Sequence, residues 1–133
     1  MGKNFYAIGH IVNDLGPPHL GGGVPYTGVA AQRLGFKTHI ITKCPPNHPY
    51  IKELESYGII VHRLPVRNPQ FENKITSGTN IYDDQGNRQQ IKSEIQEDIT
   101  VEDLKNFPNI SSGSVILVAV DVGEVDTKLF PIL

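Results

Sequence analysis

Asp14, the glycine run Gly21-Gly22-Gly23 and Lys43 are the residues whose types and spacing could do chemistry in this chain. Adjacent glycines ahead of a helix let backbone N–H groups approach a ligand closely, and the helix dipole favours electron-rich oxygens there. A dinucleotide fingerprint does not fit. The run begins about a dozen residues after the first strand instead of joining strand to helix directly, and Tyr26 falls where the third glycine of G-x-G-x-x-G would stand. A phosphate P-loop does not fit either. Gly23 and Gly28 have its glycine spacing, but Val29-Ala30 occupy the places of the Lys and the Ser or Thr that meet the phosphates and the metal. What remains is a backbone platform for hydroxyl oxygens, with a nearby carboxylate to accept their hydrogen bonds. Asp14 lies five residues beyond Gly9, just past the first strand, in the crevice where α/β proteins bind ligands. Its spacing fits equally a turn-forming Asx residue beside Asn13 and Gly16.

Other chemistries find little support. The five histidines (His10, His19, His39, His48, His62) lack metal-ligand spacing with carboxylates or with Cys44. Cys44 is followed by two prolines and has no evident paired base, so it does not read as a nucleophile. As the single cysteine it cannot form an intramolecular disulfide, which makes a reducing, cytoplasmic setting the expectation.

The elements that must position these residues follow from pattern. Phe5–Ile8 reads as a buried strand, residues 13–25 as a loop, and Tyr26–Leu34 as a helix stopped by Gly35. Thr38–Thr42 is a strand, Pro49–Tyr57 a helix closed by Gly58, and Ile59–His62 a third strand. This strand–helix alternation predicts an α/β fold built on a Rossmann-like parallel sheet. Residues 73–95 then alternate polar and apolar around Asp83-Asp84-Gln85-Gly86-Asn87, an antiparallel hairpin inserted into the pattern. A short helix begins at Ile99–Leu104, where Thr100 and Asp103 form a capping box with Asp at its last position. Val115–Val120 reads as a strand buried on both faces, and a final helix begins near Gly123-Glu124. Such a strand calls for cover that the rest of the chain does not supply, so an incomplete sheet with an open edge is expected.

Length and composition bound the rest. The 133 residues suffice for one domain, and 38% apolar with 20% charged residues is a globular balance. A formal net charge of −2 with Lys and Arg scattered singly argues against a nucleic-acid or anionic-membrane surface. The first apolar run is too short for a signal h-region or a membrane span.

These motifs, taken in order, resemble the ribokinase (PfkB) family of carbohydrate kinases. Gly9-His10-Ile11-Val12-Asn13-Asp14 is similar to the family opening of a strand, a glycine and a sugar-binding Asp. Gly21-Gly22 followed by Ala30-Ala31-Gln32-Arg33-Leu34-Gly35 resembles its first signature. Residues 76–89 resemble its lid strands, and Thr100–Leu104 with Val115–Asp126 its following helix and core strand. The resemblance implies one incomplete ribokinase-like unit over residues 1–133, with 65–95 as the lid. It implies that Asp14, Gly21, Gly22 and Gly23 bind hydroxyls of a sugar, polyol or nucleoside, and that Lys43, placed where many members carry a Lys, touches substrate or phosphate. Tyr26 stands in place of the family's Asn; one phenol replaces an amide with two donors and an acceptor, so substrate identity is not carried over. ATP and Mg²⁺ are the implied cofactors of the full-length enzyme. The Gly-Ala-Gly-Asp segment that supplies the family's general base and anion hole does not occur in these 133 residues, so this chain alone is expected to bind without transferring phosphate. A homo-oligomer through the lid hairpin or the open sheet edge is also expected, and a non-catalytic binding or dimerisation module is the alternative reading.

Overall fold

The computed structural model describes residues 2–107, 109–121 and 123–132. Its centre is a parallel sheet. β1 (Asn4–Ile8) pairs with β4 (Lys37–Thr42) on one side and β8 (Ser114–Leu117) on the other, and β4 pairs outward with β5 (Ile60–Arg63). The β-branched run Thr38–Thr42 and the apolar run Phe5–Ile8 therefore do become the central strands, as their composition predicts. Side-chain alternation divides the core in two. Tyr6, Ile8 and Ile41 point to a face covered by Ile99, Leu104, Ile110 and Leu129. Ala7 and Ile40 point to the opposite face, where Val24, Leu54, Ile59 and Ile75 meet them.

Two helices cover that second face. α1 (Gly23–Arg33) packs on β1 and β4, and α2 (Pro49–Ser56) lies against β5. Pro49 occupies the first helical turn of α2, and the His48 side chain accepts the Tyr50 N–H at 3.2 Å to cap it. α1 starts at Gly23, three residues earlier than the Ala-containing stretch suggests, so the glycine run caps the helix instead of preceding it at a distance.

The stretch 13–25 is not the featureless loop that its glycines and prolines predict. It contains β2 (Val12–Asp14) and β3 (His19–Gly21), an antiparallel pair. β2 also runs parallel to β6 (Thr76–Tyr82), which forms the hairpin with β7 (Arg88–Glu94). The expected hairpin is thus present, as half of a second four-stranded sheet in the order β3-β2-β6-β7. Pairing across the sheet satisfies backbone groups that composition alone would leave to solvent.

The C-terminal third differs most from expectation. β8 ends at Leu117, and its side chains alternate between exposed and half-buried, with Ile116 38% exposed. It is an edge strand with one open face, because α1 and α2 lie over the other strands. The two expected helices are short 3₁₀ turns at Glu102–Leu104 and Thr127–Ile132. Half of the expected capping box forms: the Asp103 carboxylate accepts the Thr100 N–H at 2.9 Å and its hydroxyl at 3.2 Å, while the Asp103 N–H goes to the Thr100 carbonyl and not to its side chain.

Candidate substrate cleft

Asp14 and the paired glycines meet at the junction of the two sheets. β2 and β3 place Val12 opposite Gly21 and Asp14 opposite His19. The Asp14 carboxylate folds back over Gly21, where a Cβ would lie 1.8 Å from Oδ2. Only glycine leaves that space. Gly22 follows with φ of 90°, a conformation that side-chain-bearing residues rarely adopt, and it caps α1 without any side-chain hydrogen bond. The first N–H groups of α1 have no side-chain cap and stay available at its positive end.

A cleft of about 390 Å³ opens here, lined by Asp14, Gly22, Gly23 and Tyr26 on one wall and by Asn80, Arg88 and Gln90 of the hairpin on the other. Val12, Ala119 and Val120 complete it. Four of the predicted site residues therefore share one cavity, and Gly21 supports it from beneath the carboxylate. Tyr26 is 68% exposed at the rim. Asn13 does not line this cleft; its Oδ1 accepts the Tyr50 hydroxyl at 2.6 Å, tying β2 to α2.

Lys43 stands apart. It is fully buried, and its ammonium donates to Glu97 Oε2 at 2.7 Å and to the Asp98 carbonyl at 2.8 Å, with Asp103 Oδ2 at 2.9 Å. An ammonium has three donors, and these three acceptors use them. Glu97 also receives the N–H groups of Arg67 and Asn68 at 2.8 and 2.9 Å. Burial pushes the Glu97 carboxyl up, but the Lys43 hydrogen bond and the two backbone donors outweigh it and hold the group below its ordinary range. Lys43 thus anchors the segment that leaves the hairpin after β7.

A second buried network holds both ends of the hairpin. His10, just past β1, faces the Glu97 carbonyl from Nε2 at 2.8 Å. A carbonyl only accepts, so Nε2 carries the proton and Nδ1 accepts the Thr76 hydroxyl at 2.8 Å. Thr76 Oγ1 in turn accepts the Gln96 N–H at 3.1 Å. Thr76 opens β6 and Gln96 follows β7, so one imidazole ties the hairpin's two roots to the core sheet. Glu124 lies 3.4 Å from Nδ1 and accepts the His10 and Val120 N–H groups at 3.1 and 3.2 Å. Burial lowers the His10 pKa to about 4 and raises that of Glu124 to about 7.

A larger cavity of about 630 Å³ adjoins these networks, lined by Arg67, Asn68, Phe71, Glu97, Asp98 and Glu124 among others. Its charged groups are already paired: Glu97 with Lys43, and Arg67 with Asp98. Among the described residues no cluster of three His, Cys, Asp or Glu could hold a metal ion. Cys44 is buried with its thiol pushed up to about 11 by burial, which leaves it protonated.

The hairpin residues Asn80, Arg88 and Gln90 were not evident as site residues from composition. Their signal lies in register: Asn80 pairs directly with Gln90, and Tyr82 with Arg88, so period-two alternation sends this set to one face.

No protein-family model matches the sequence, and no curated protein does. Solved structures do. A pyrophosphate-dependent kinase in the ribokinase family, complexed with a pyrophosphate analog and myo-inositol, is 25% identical with a TM-score of 0.74 over 96% of this chain. A sulfate complex of a pyrophosphate-dependent kinase in the ribokinase family is 26% identical with a TM-score of 0.74. Fructokinase from Vibrio cholerae shares the fold at 14% identity and a TM-score of 0.50, over 86% of this chain and 52% of its own. The fold is that of the ribokinase-type carbohydrate kinases. The chain spans 44% and 45% of the length of the first two proteins.

Proposed function

We propose that this chain is the substrate-binding half, with its lid, of a kinase that phosphorylates a hydroxyl of a sugar or polyol. The observation that carries this reading is the Asp14 carboxylate seated on Gly21 at the mouth of the parallel sheet, across the cleft from Asn80, Arg88 and Gln90. One carboxylate and one guanidinium line the cleft, so its formal charges cancel and a neutral polyhydroxylated ligand suits it better than a phosphorylated one. Backbone N–H groups at the start of α1 supply donors, and Asp14 supplies the acceptor.

The phosphate donor binds elsewhere in this reading. The family resemblance points to ATP with Mg²⁺, while the two solved proteins at 25% and 26% identity are named as pyrophosphate-dependent. Both donors belong in the assay. The chain is expected to bind sugars or polyols and to transfer no phosphate by itself, since no Gly-x-Gly-Asp occurs in it. Calorimetric titration with myo-inositol, ribose and fructose tests the binding. A coupled phosphorylation assay with ATP and with pyrophosphate tests the transfer. Turnover by the 133 residues, or binding of none of the three, contradicts the proposal.

One observation favours self-association as well. The hairpin face turned away from the cleft exposes Ile81 and Ile91, both at 47%. A homo-oligomer through that face fits the second reading, a binding or dimerisation module.

A further inference from the structure

His39 of β4 and His62 of β5 place their imidazole rings end to end. The strands run parallel with Ile41 opposite His62, so the two rings are diagonal neighbours on the face that also carries Tyr6 and Leu64. His39 Nδ1 lies 2.9 Å from His62 Nε2, the ring planes differ by 14°, and the centroids are 5.2 Å apart. That centroid separation is close to the largest that the nitrogen–nitrogen distance allows, so both nitrogens lie on the line joining the rings. Among the described residues no other two imidazoles touch. Asn4 fixes the tautomer. Its Oδ1 lies 3.1 Å from His39 Nε2 and only accepts, so Nε2 carries the hydrogen and Nδ1 turns a bare lone pair on His62. Tyr6 stacks on the His39 ring at 4.6 Å. A carbonyl oxygen behind the ring is the support that orients metal-bound histidines. His62 is held less firmly: it stands on the outer strand β5, meets Phe107 edge-on at 5.3 Å, and its Nδ1 has no partner among the described residues. Both histidines are half-buried, so solvent reaches them.

We infer that His39 and His62 form a binding site for a closed-shell monovalent metal ion of the Cu⁺ class, held in line between His39 Nδ1 and His62 Nε2. The site is separate from the substrate cleft, since it lies on the sheet face that packs against Leu104 and Ile110. Imidazole nitrogen is a good ligand for copper, and two nitrogens facing each other offer linear two-coordination. Cu⁺ accepts that geometry. Zn²⁺ calls for a tetrahedral set, and no third His, Cys, Asp or Glu joins the pair among the described residues. A metal–imidazole bond is about 2.0 Å, so the nitrogens must part to about 4 Å, with the His62 ring moving. Two nitrogen–metal bonds form and the hydrogen bond between the rings breaks. The hydrogen on His62 Nε2 transfers to its free Nδ1, so the ring stays neutral and the ion keeps its oxidation state. Cys44, whose thiolate would compete for a soft ion, is fully buried and protonated.

The test is anaerobic titration of the whole 133-residue chain with Cu⁺ in competition with the chromogenic chelator bicinchoninate, for the wild type, His39→Ala, His62→Ala, Asn4→Leu and His48→Ala. The wild type is expected to take one equivalent. Loss of either ligand should weaken binding more than about a hundredfold, and Asn4→Leu about tenfold, the range for a group that orients a metal-bound imidazole. His48→Ala, which leaves the pair intact, should bind as the wild type does. Zn²⁺ titrated in place of Cu⁺ should bind at least about a hundredfold less tightly. X-ray absorption of the loaded wild type should show two nitrogen neighbours in line and no sulfur. Circular dichroism melting checks that each variant is folded, and the absorption spectrum of the wild type decides the ligand set even where a variant is not. A wild type that holds Cu⁺ no better than His39→Ala and His62→Ala overturns the inference. So does a sulfur neighbour, which would move the ion to Cys44, or Zn²⁺ binding as tight as that of Cu⁺.

Discussion

Asp14 and Gly21 share one volume: the carboxylate oxygen of Asp14 sits where any side chain on Gly21 would begin, 1.8 Å from its Cβ position. The pairing of β2 with β3 produces this overlap, and the carboxylate is held over the platform at the start of α1. The geometry links the two sequence features that most invite a chemical reading.

Gly21→Ala should therefore displace the Asp14 carboxylate without touching any other lining residue. A methyl group at that distance cannot be accommodated without a shift, and overpacking of this kind typically costs about 1–3 kcal/mol. The expected outcome is a stable but weakened fold and at least about a tenfold loss of polyol affinity. Melting and calorimetric titration read the two effects separately. Affinity equal to wild type would show that the carboxylate does not hold the ligand.

Lys43→Ala tests the anchor beneath the lid. It leaves the buried Glu97 and Asp103 carboxylates with only the half-exposed Arg67 guanidinium, at 3.7 and 3.9 Å, and removing one partner of a buried pair costs about 3–5 kcal/mol. Urea denaturation should show a loss of that order. A loss below about 1 kcal/mol would mean that the ammonium is as weakly held as a surface ion pair.

Much of this was legible in the sequence, and the misses have a common cause. Phe5–Ile8, Thr38–Thr42 and Ile60–Arg63 declare themselves because a buried parallel strand must be apolar and β-branched. The hairpin is announced by Gly86-Asn87 between alternating runs. Val12–Asp14 and His19–Gly21 hid because three-residue strands have no period to detect; they exist by pairing with each other and, for Val12–Asp14, with residues 64 positions further along the chain. Val115–Val120 misled because an apolar run does not say how many neighbours it has. In the site, Asp14 and Gly21–Gly23 were readable by residue type, whereas Asn80 became visible only through its cross-strand register.

The pH dependence of stability should reveal the His10–Glu124 pair. His10 has its pKa lowered by burial from 6.5 to about 4, so its contribution is intact above 6.5 and is lost as pH falls towards 4. Glu124 is raised by burial from 4.5 to about 7, so its contribution is intact below 4.5 and is lost as pH rises through 7. Between these limits the folded pair holds one proton on Glu124 and the unfolded pair one on His10, and the two slopes cancel. Glu124→Gln removes only the second slope. Its stability relative to wild type should climb between pH 4.5 and 7 by an amount on the order of 3 kcal/mol, whatever its constant offset. Denaturation at pH 4.5, 5.5 and 7 checks this, and a constant difference would place Glu124 at its ordinary value in the folded chain.

Self-association should depend on the outer face of the hairpin. Light scattering at rising concentration should show the wild type forming a dimer, and Ile81→Lys with Ile91→Lys should return it to a monomer. A wild type that stays monomeric throughout removes this face as an interface.

The most direct measurement is a nitrogen-labelled shift map of the chain titrated with myo-inositol, ribose or fructose, repeated for Asp14→Asn. Ligand-dependent shifts should concentrate at Gly22, Gly23, Tyr26 and Asn80 and be abolished in the variant. Shifts centred on the cavity beside Arg67 and Glu124, or unchanged by the loss of the carboxylate, would contradict it.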